Sequence, residues 1–141
     1  RFRPQPRRNY DMALKITLKP QEKMIVSGAV IANGSKSGCQ LIVENKVPIL
    51  RQKDILSEKD ADTPCRSLYF IVQLMYVDAA NLSVHQNNYW RLVNEIVKAA
   101  PSTIALIDQI NEEIVNGRFY QALKLAQRLI EYEQEAINRV Q

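Results

Sequence analysis

Apolar and polar residues alternate at the start of the chain. The apolar positions are Leu14, Ile16 and Leu18, and the polar positions between and after them are Lys15, Thr17 and Lys19. A β-strand places successive side chains on opposite faces, so this alternation predicts a half-buried strand over 13–19 with one basic, solvated face.

Four further strand-like segments precede residue 56, and short turn signals separate them. They are Lys23–Val26, Ala29–Ala32, Cys39–Glu44 and Val47–Arg51. Ser27-Gly28 between the first two indicates a bulge or a tight turn. Pro48 has no backbone N–H to donate, which confines the last strand to a sheet edge. Residues 12–60 are therefore expected to form a small antiparallel sheet.

The periodicity changes to that of helices after residue 60. Thr63 and Pro64 form a helix start, with Thr63 as the capping residue and Pro64 at the first helical position. The apolar segment Leu68–Val77 that follows also contains good strand formers, so a buried strand is the rival interpretation. The cap favours a buried helix.

Three more helices are predicted from apolar stripes with helical spacing. The stripes are Leu82, His85, Tyr89, Leu92, Val93, Ile96, Val97 and Ala100; then Ile104, Ile107, Ile110 and Ile114; then Phe119, Ala122, Leu123, Ala126, Ile130 and Ile137. Pro101 ends the first of these helices, and Ser102 is predicted to cap the next. Gly117 supplies the left-handed residue that ends that helix, and the short connection predicts an antiparallel hairpin with the last one.

The predicted fold class is α+β: a small antiparallel β-sheet followed by a bundle of about four α-helices. Three segments are expected, with a disordered basic arm over 1–11, a β-rich half over 12–60 and a helical half over 61–141. The chain has 141 residues and a net charge of +4. Its basic excess lies in the N-terminal half, because residues 67–141 carry six Lys and Arg against eight Asp and Glu.

The residues that enzymes and metal sites need are scarce. His85 is the one histidine of the chain, and it lies on an apolar helix stripe, where a structural role is the usual one. Cys39 and Cys65 are the two cysteines; they have no CxxC spacing, and this usage fits a reducing cytoplasm. No apolar run reaches the roughly 20 residues that span a bilayer. We therefore expect a cytoplasmic protein that is not an enzyme, has no cofactor or metal, and does not insert into membranes.

The β-rich half offers one candidate site. Lys15 and Lys19 share a face of the first strand, and Arg51 and Lys53 lie at the end of the last strand. If these two strands lie side by side, the four cations form one basic edge that can follow a phosphate backbone. Residues 12–66 contain no aromatic side chain on which a base would stack, so recognition there would depend on backbone groups and on Arg and Lys.

Several segments resemble the flagellum biosynthesis repressor family, FlbT, in order from Met12 to about Glu135. They are Met12–Pro20, Pro48–Leu56, Ala61–Pro64, Val72–Tyr76 and Gly117–Ala126. The resemblance implies a cytoplasmic post-transcriptional regulator that associates with the 5′ leader of flagellin mRNA and alters its translation and stability. Members of the family repress in some bacteria and activate in others.

Residues 12–56 also resemble, more faintly, the carbon storage regulator family, CsrA, whose small five-stranded dimers bind mRNA leaders. By that likeness Arg51 matches an RNA-contacting arginine, and Lys19 stands where a basic residue ends the first strand. The sequence departs from the pattern at Gln21, which replaces a glycine, and at Leu18, which stands where a second basic residue would be. One extra residue also separates Arg51 from Ile55.

Two functions follow as hypotheses. The first is an mRNA-binding regulator of flagellin synthesis that uses Lys15, Lys19, Arg51 and Lys53. The alternative is a protein–protein adaptor in flagellar assembly or export that acts through the helical half without touching RNA. A second flagellar regulatory protein and another copy of the chain are further candidate partners. An exposed apolar groove between the helices would favour the adaptor.

Overall fold

The computed structural model describes residues 13–140, so the arm predicted over 1–11 lies outside the described residues. The chain divides into two compact units, a β unit that ends at Ile55 and a helical unit that begins at Leu56. The five strands of the β unit are β1 Leu14–Leu18, β2 Lys23–Val26, β3 Ala29–Ala32, β4 Cys39–Val43 and β5 Ile49–Arg51. The four helices are α1 Pro64–Val77, α2 Leu82–Ala99, α3 Ile104–Val115 and α4 Phe119–Val140. This architecture confirms the predicted α+β class.

The strands form two small antiparallel sheets. In one, β1 pairs with β4, and in the other β2 lies between β3 and β5. Ile16, Leu18 and Met24 are fully buried in the core of the unit. The partly buried residues that pack against them are Val26, Cys39, Leu41, Val43 and Ile49. Alternation along β1 is confirmed from Ile16 onward, because Ile16 and Leu18 are buried and Lys15, Thr17 and Lys19 are exposed, but Leu14, predicted to share the buried face, is 47% exposed.

Ser27-Gly28 is a tight turn rather than a bulge. Val26 pairs directly with Ala29, which leaves two residues in the hairpin loop. Both have positive φ, +51° at Ser27 and +89° at Gly28, as the twist of a two-residue hairpin requires. The Ser27 N–H donates to the carbonyl of Pro48 at 2.8 Å. Pro48 directly precedes β5, an outer strand of its sheet, in agreement with the predicted edge position.

Helix α1 begins where the sequence predicts. The Thr63 hydroxyl accepts a hydrogen bond from the Arg66 N–H at 3.1 Å and donates to Glu133 of α4 at 2.5 Å. The second carboxylate oxygen of Glu133 accepts from the Cys65 N–H at 3.2 Å. One carboxylate from α4 therefore completes the cap, at a helix end whose partial positive charge favours an anion.

Gln73 is the polar residue that interrupts the apolar sequence of α1. Its amide is buried, and it donates to the Leu56 carbonyl at 2.9 Å and accepts from the Leu56 N–H at 2.8 Å. This pair of bonds satisfies a side-chain amide inside an apolar helix and fixes the start of the helical unit against α1.

The apolar stripes are buried only in part. Ile107, Ile110 and Ile114 lie in the core, but Ile104 is 50% exposed. On α4 the buried positions are Ala122, Leu123, Ala126 and Leu129, while the predicted core residue Ile137 is 38% exposed. Periodicity identifies residues that share a face; it does not show whether another element covers that face.

The junction between α2 and α3 also differs from the prediction. Ser102 does not cap α3, because residues 101–103 form a 3₁₀ turn, and the Ser102 hydroxyl is hydrogen-bonded to the Tyr132 hydroxyl of α4. Thr103 is the residue that precedes α3, and its hydroxyl donates to the Ala100 carbonyl at 2.7 Å. The predicted left-handed residue after α3 is confirmed, with Gly117 at φ +73°.

Removal of the α1 cap should destabilise the helical unit. Thr63→Ala loses the bond to the Arg66 N–H and the bond to Glu133, so we expect the free energy of unfolding to fall by roughly 1–2 kcal/mol. Urea denaturation followed by far-ultraviolet circular dichroism measures this change. Ser83→Ala is the matched control, since Ser83 is an exposed residue of α2. A cap variant that unfolds at the same urea concentration as this control would contradict the assignment.

Cys65 should be unreactive in the folded protein. Burial, reinforced by the nearby Glu133 carboxylate, raises the pKa of the Cys65 thiol to about 12 from an ordinary value of 9.0. Because the pKa is raised, the thiol stays protonated at neutral and mildly alkaline pH, and the reactive thiolate is about a thousandfold rarer than usual. Peptide mass spectrometry should show negligible iodoacetamide labelling of Cys65 at pH 8 until urea unfolds the chain. Labelling at the rate of a free cysteine in the native state would contradict this.

Candidate functional site

Lys15 and Lys19 lie on the solvent side of the two-stranded sheet. Lys15 is exposed within β1, and Lys19 is exposed directly after its last residue. Thr17 lies between them on the same face and is also exposed. Across the ladder, Lys15 is opposite Ile42 and Thr17 is opposite Gln40, so β4 contributes no charge to this face.

Arg51 and Lys53 lie at the end of the other sheet. Arg51 is the last residue of β5 and pairs with Met24 of β2, while Lys53 is exposed in the short 3₁₀ turn that follows. The predicted basic edge required the first and last strands to lie side by side. The structure shows that they are not hydrogen-bonded neighbours. Strand β1 pairs with β4 and β5 pairs with β2.

A side-chain bond nevertheless joins the ends of these two sheets. The Arg51 guanidinium donates from Nη2 to the Thr17 carbonyl at 3.0 Å. The same nitrogen lies 4.0 Å from Oε2 of Glu22, and Oε1 of Glu22 accepts from the Lys19 N–H at 2.8 Å. Glu22 thus holds Arg51 on one side and the backbone of Lys19 on the other. The end of β1 and the end of β5 are brought together by these contacts.

The backbone of Lys23 lies next to the turn after β5, and this residue was not among the site residues predicted from the sequence. Its backbone N–H donates to Oε1 of Gln52 at 2.6 Å, which puts the start of β2 beside the turn that carries Lys53. We name Lys19, Lys23, Arg51 and Lys53 the basic corner. The pairing of β2 with β5 creates it, and that pairing joins segments about 25 residues apart, so no local sequence signal reveals it.

The basic corner is positive but not uniformly so. Glu22 lies within it and Asp54 follows Lys53, so its four cations are accompanied by two carboxylates, and Lys15 adds one exposed positive charge on β1. Arg51 has a structural role, because its guanidinium donates to the Thr17 carbonyl and lies close to the Glu22 carboxylate. Its side chain is still 42% exposed, and a guanidinium has five N–H donors, so part of it remains available to an anion.

The other candidate residues have structural roles. His85 is buried on α2, with Nε2 at 2.9 Å from Oδ2 of Asp78, just after α1. That bond and one from Asn81, which is the larger cause, hold the pKa of the Asp78 carboxyl below its usual value. Among residues 13–140, no group of three or more His, Cys, Asp or Glu could hold a metal ion.

Membrane-spanning potential in the described part of the chain is limited to one bent helix pair. No single helix there is long and apolar enough to cross a bilayer. Taken together, the segments Pro64–Val77 and Ala79–Ala99 have the length and apolar composition of a membrane span, but they are bent by 109° at their junction.

A family model and several known proteins match nearly the whole chain, and all of them carry the same family name. A family model described as flagellar protein FlbT matches residues 14–137. The chain is 45% identical over 124 residues to a probable flagellum biosynthesis repressor protein FlbT 1 of Bradyrhizobium diazoefficiens, covering 88% of this chain and 84% of the relative. It is 36% identical over 131 residues to the flagellum biosynthesis repressor protein FlbT of Caulobacter vibrioides, covering 92% of each.

A third relative extends this agreement. A probable flagellum biosynthesis repressor protein FlbT of Rhodopseudomonas palustris is 34% identical over 128 residues, which cover 91% of this chain and 100% of the relative. No solved structure matches the chain, so the likeness of residues 12–56 to CsrA remains one of sequence. The family match and the identities over most of each chain establish that this protein belongs to the FlbT family of flagellar proteins.

Proposed function

We propose that this chain regulates flagellin synthesis by binding the 5′ leader of flagellin mRNA through Lys15 and the basic corner. FlbT is a family of regulators of flagellar synthesis and not of enzymes. The relatives compared with this chain are named repressors, and repression at the level of the flagellin message is the mechanism that we propose for it.

The observation that carries this proposal is the bond from Arg51 to the Thr17 carbonyl. It brings the end of β5 to the end of β1, so Arg51 lies close to the backbone that carries Lys15 and Lys19 although the two strands belong to different sheets. Exposed lysines close in the chain to a fixed, partly exposed arginine suit a phosphate backbone, because each lysine contact releases counterions and the remaining guanidinium donors can bind an anion.

The chemistry of the surface also restricts how RNA would be read. The described residues of the β unit include no aromatic side chain, so stacking cannot supply the affinity, and phosphate contacts must supply most of it. Bound at a leader, the protein would occupy sequence that a ribosome needs, which lowers translation and changes access for nucleases. Such a mechanism needs affinity and position but no catalytic group.

Removal of Lys15 and Lys19 should weaken leader binding without disturbing the fold. Both side chains are exposed, whereas Arg51 is tied to Thr17 and is a poorer position to test. For the Lys15→Ala/Lys19→Ala variant we expect lower affinity for a flagellin leader and a salt dependence less steep by about 1.4, since each contact to a single strand contributes roughly 0.7 to the slope. Fluorescence anisotropy at several salt concentrations measures both quantities.

The matched control is Lys59→Ala/Lys98→Ala, which removes two exposed cations from the helical unit. It should bind the leader like the unmodified chain. A scrambled RNA of the same length separates specific binding from general attraction to a polyanion. Equal affinity for leader and scrambled RNA, or equal losses in the two double variants, would refute the proposed site.

The adaptor function is the second candidate, and one observation favours it. The helical unit contains an apolar cavity between α1, α2 and α4 that opens to the surface. The leader titration distinguishes the two functions, because an adaptor that never touches RNA would show no preference for the leader at any salt concentration.

A further inference from the structure

The cavity lies where α1 begins, α2 ends and α4 passes both. It has a volume of about 330 Å³, within the range of ligand pockets in proteins. Its walls are largely apolar and include Cys65 of α1, Ile96 and Ala99 of α2, and Tyr132 and Ala136 of α4. Small alanines at the wall leave the space that a larger side chain would otherwise fill.

An exposed apolar face of α4 continues from the cavity. Glu133 and Ala136 line the cavity and also a shallower apolar depression that extends to Ile137 and Val140. Tyr132, Ala136 and Val140 are four residues apart and so lie along one face of the helix. Burial on α4 ends at Leu129, and Val140 is 89% exposed. The last 11 residues of α4, about 16 Å of helix, therefore carry apolar side chains without a fully buried position.

Charge at this surface has one sign. Two carboxylates, Glu95 and Glu133, line the cavity and the depression, and among the described residues no Lys or Arg lines either of them. Glu133 is held in place by its bonds to Thr63 and to the Cys65 N–H. Each carboxylate oxygen can accept more than one bond, so Glu133 can still receive a donor from outside.

We propose that this surface, which we name the α4 groove, binds a basic amphipathic helix of a partner protein. One large apolar side chain of that helix enters the cavity, and others one turn apart lie along Ala136, Ile137 and Val140. A Lys or Arg of the partner faces Glu95 and Glu133. This is helix-in-groove recognition, and it is independent of the proposed RNA site because every residue in it belongs to the helical unit.

Charge disfavours the other obvious occupants of this face. A second copy that met the first groove to groove would bring the same carboxylates, and the helical unit from residue 56 carries eight Lys and Arg against eleven Asp and Glu, so the two grooves would repel each other. RNA would be repelled for the same reason. A small apolar ligand would fill the cavity but leave the α4 face uncovered.

The experiment uses the full chain and two synthetic helices of about 18 residues with the same amphipathic pattern, one of Leu and Lys and one of Leu and Glu. Fluorescence anisotropy should show the Leu/Lys helix binding at least about tenfold more tightly than the Leu/Glu helix. Ala136→Arg should reduce Leu/Lys binding at least about tenfold, because it places bulk and a positive charge in the groove. Ala105→Arg, at an exposed position of α3, is the matched control and should bind like the unmodified chain.

A charge reversal tests the electrostatic part separately. Glu95→Lys should weaken binding of the Leu/Lys helix and strengthen binding of the Leu/Glu helix, whereas Asp108→Lys on α3 should change neither. Equal effects of the groove and control variants would overturn the proposal, as would a lack of preference between the two helices. So would sedimentation showing a dimer that Ala136→Arg dissociates, because a second copy would then be the occupant.

Discussion

The hydrogen bond from the Arg51 guanidinium to the Thr17 carbonyl is the contact on which the β unit and its candidate site both depend. The cluster in which side chains of both sheets meet has three buried residues, Ile16, Leu18 and Met24, so little apolar area fixes the relative position of the two sheets. A directed bond between the ends of β1 and β5 supplies what the small core does not. Its donor is charged and its acceptor is a backbone group, so it is stronger than a bond between neutral groups.

The loops around this contact are fixed in the same way. Gln21 adopts φ +66°, and its N–H donates to the Asn33 carbonyl at 2.7 Å. The buried amide of Asn33 donates to the carbonyls of Leu18 and Ser37, each at 3.0 Å. The Glu22 carboxylate accepts a hydrogen bond from the Lys19 N–H. These polar bonds order the end of β1 before any ligand arrives, so Lys19 is presented from a rigid backbone and an RNA would have to order only its flexible side chain.

The strands and helices could be predicted from the sequence because their signals are local. Alternation around Ile16 identified β1, and Thr63 with Pro64 identified α1. Strand pairing could not be predicted, since which strands become neighbours depends on closing loops of tens of residues and on contacts that no local pattern encodes. That is why the adjacency of Lys23 to Arg51 was missed, and why a single sheet was expected where the structure has two. The α4 groove was missed for a related reason: the spacing of Ile137 indicates a face, but an uncovered face has the same spacing as a buried one.

Charge separates the two proposed surfaces. Residues 12–55 carry seven Lys and Arg against three Asp and Glu, and the rest of the chain from residue 56 is acidic by three charges. A phosphate backbone is attracted to the first unit and repelled by the carboxylates of the α4 groove, and a basic helix has the opposite preference. The two proposed ligands would therefore not compete for one surface, although both would be recognised largely by charge. If both proposals hold, the sign of the charge on each unit assigns the message to the basic unit and the partner helix to the acidic one.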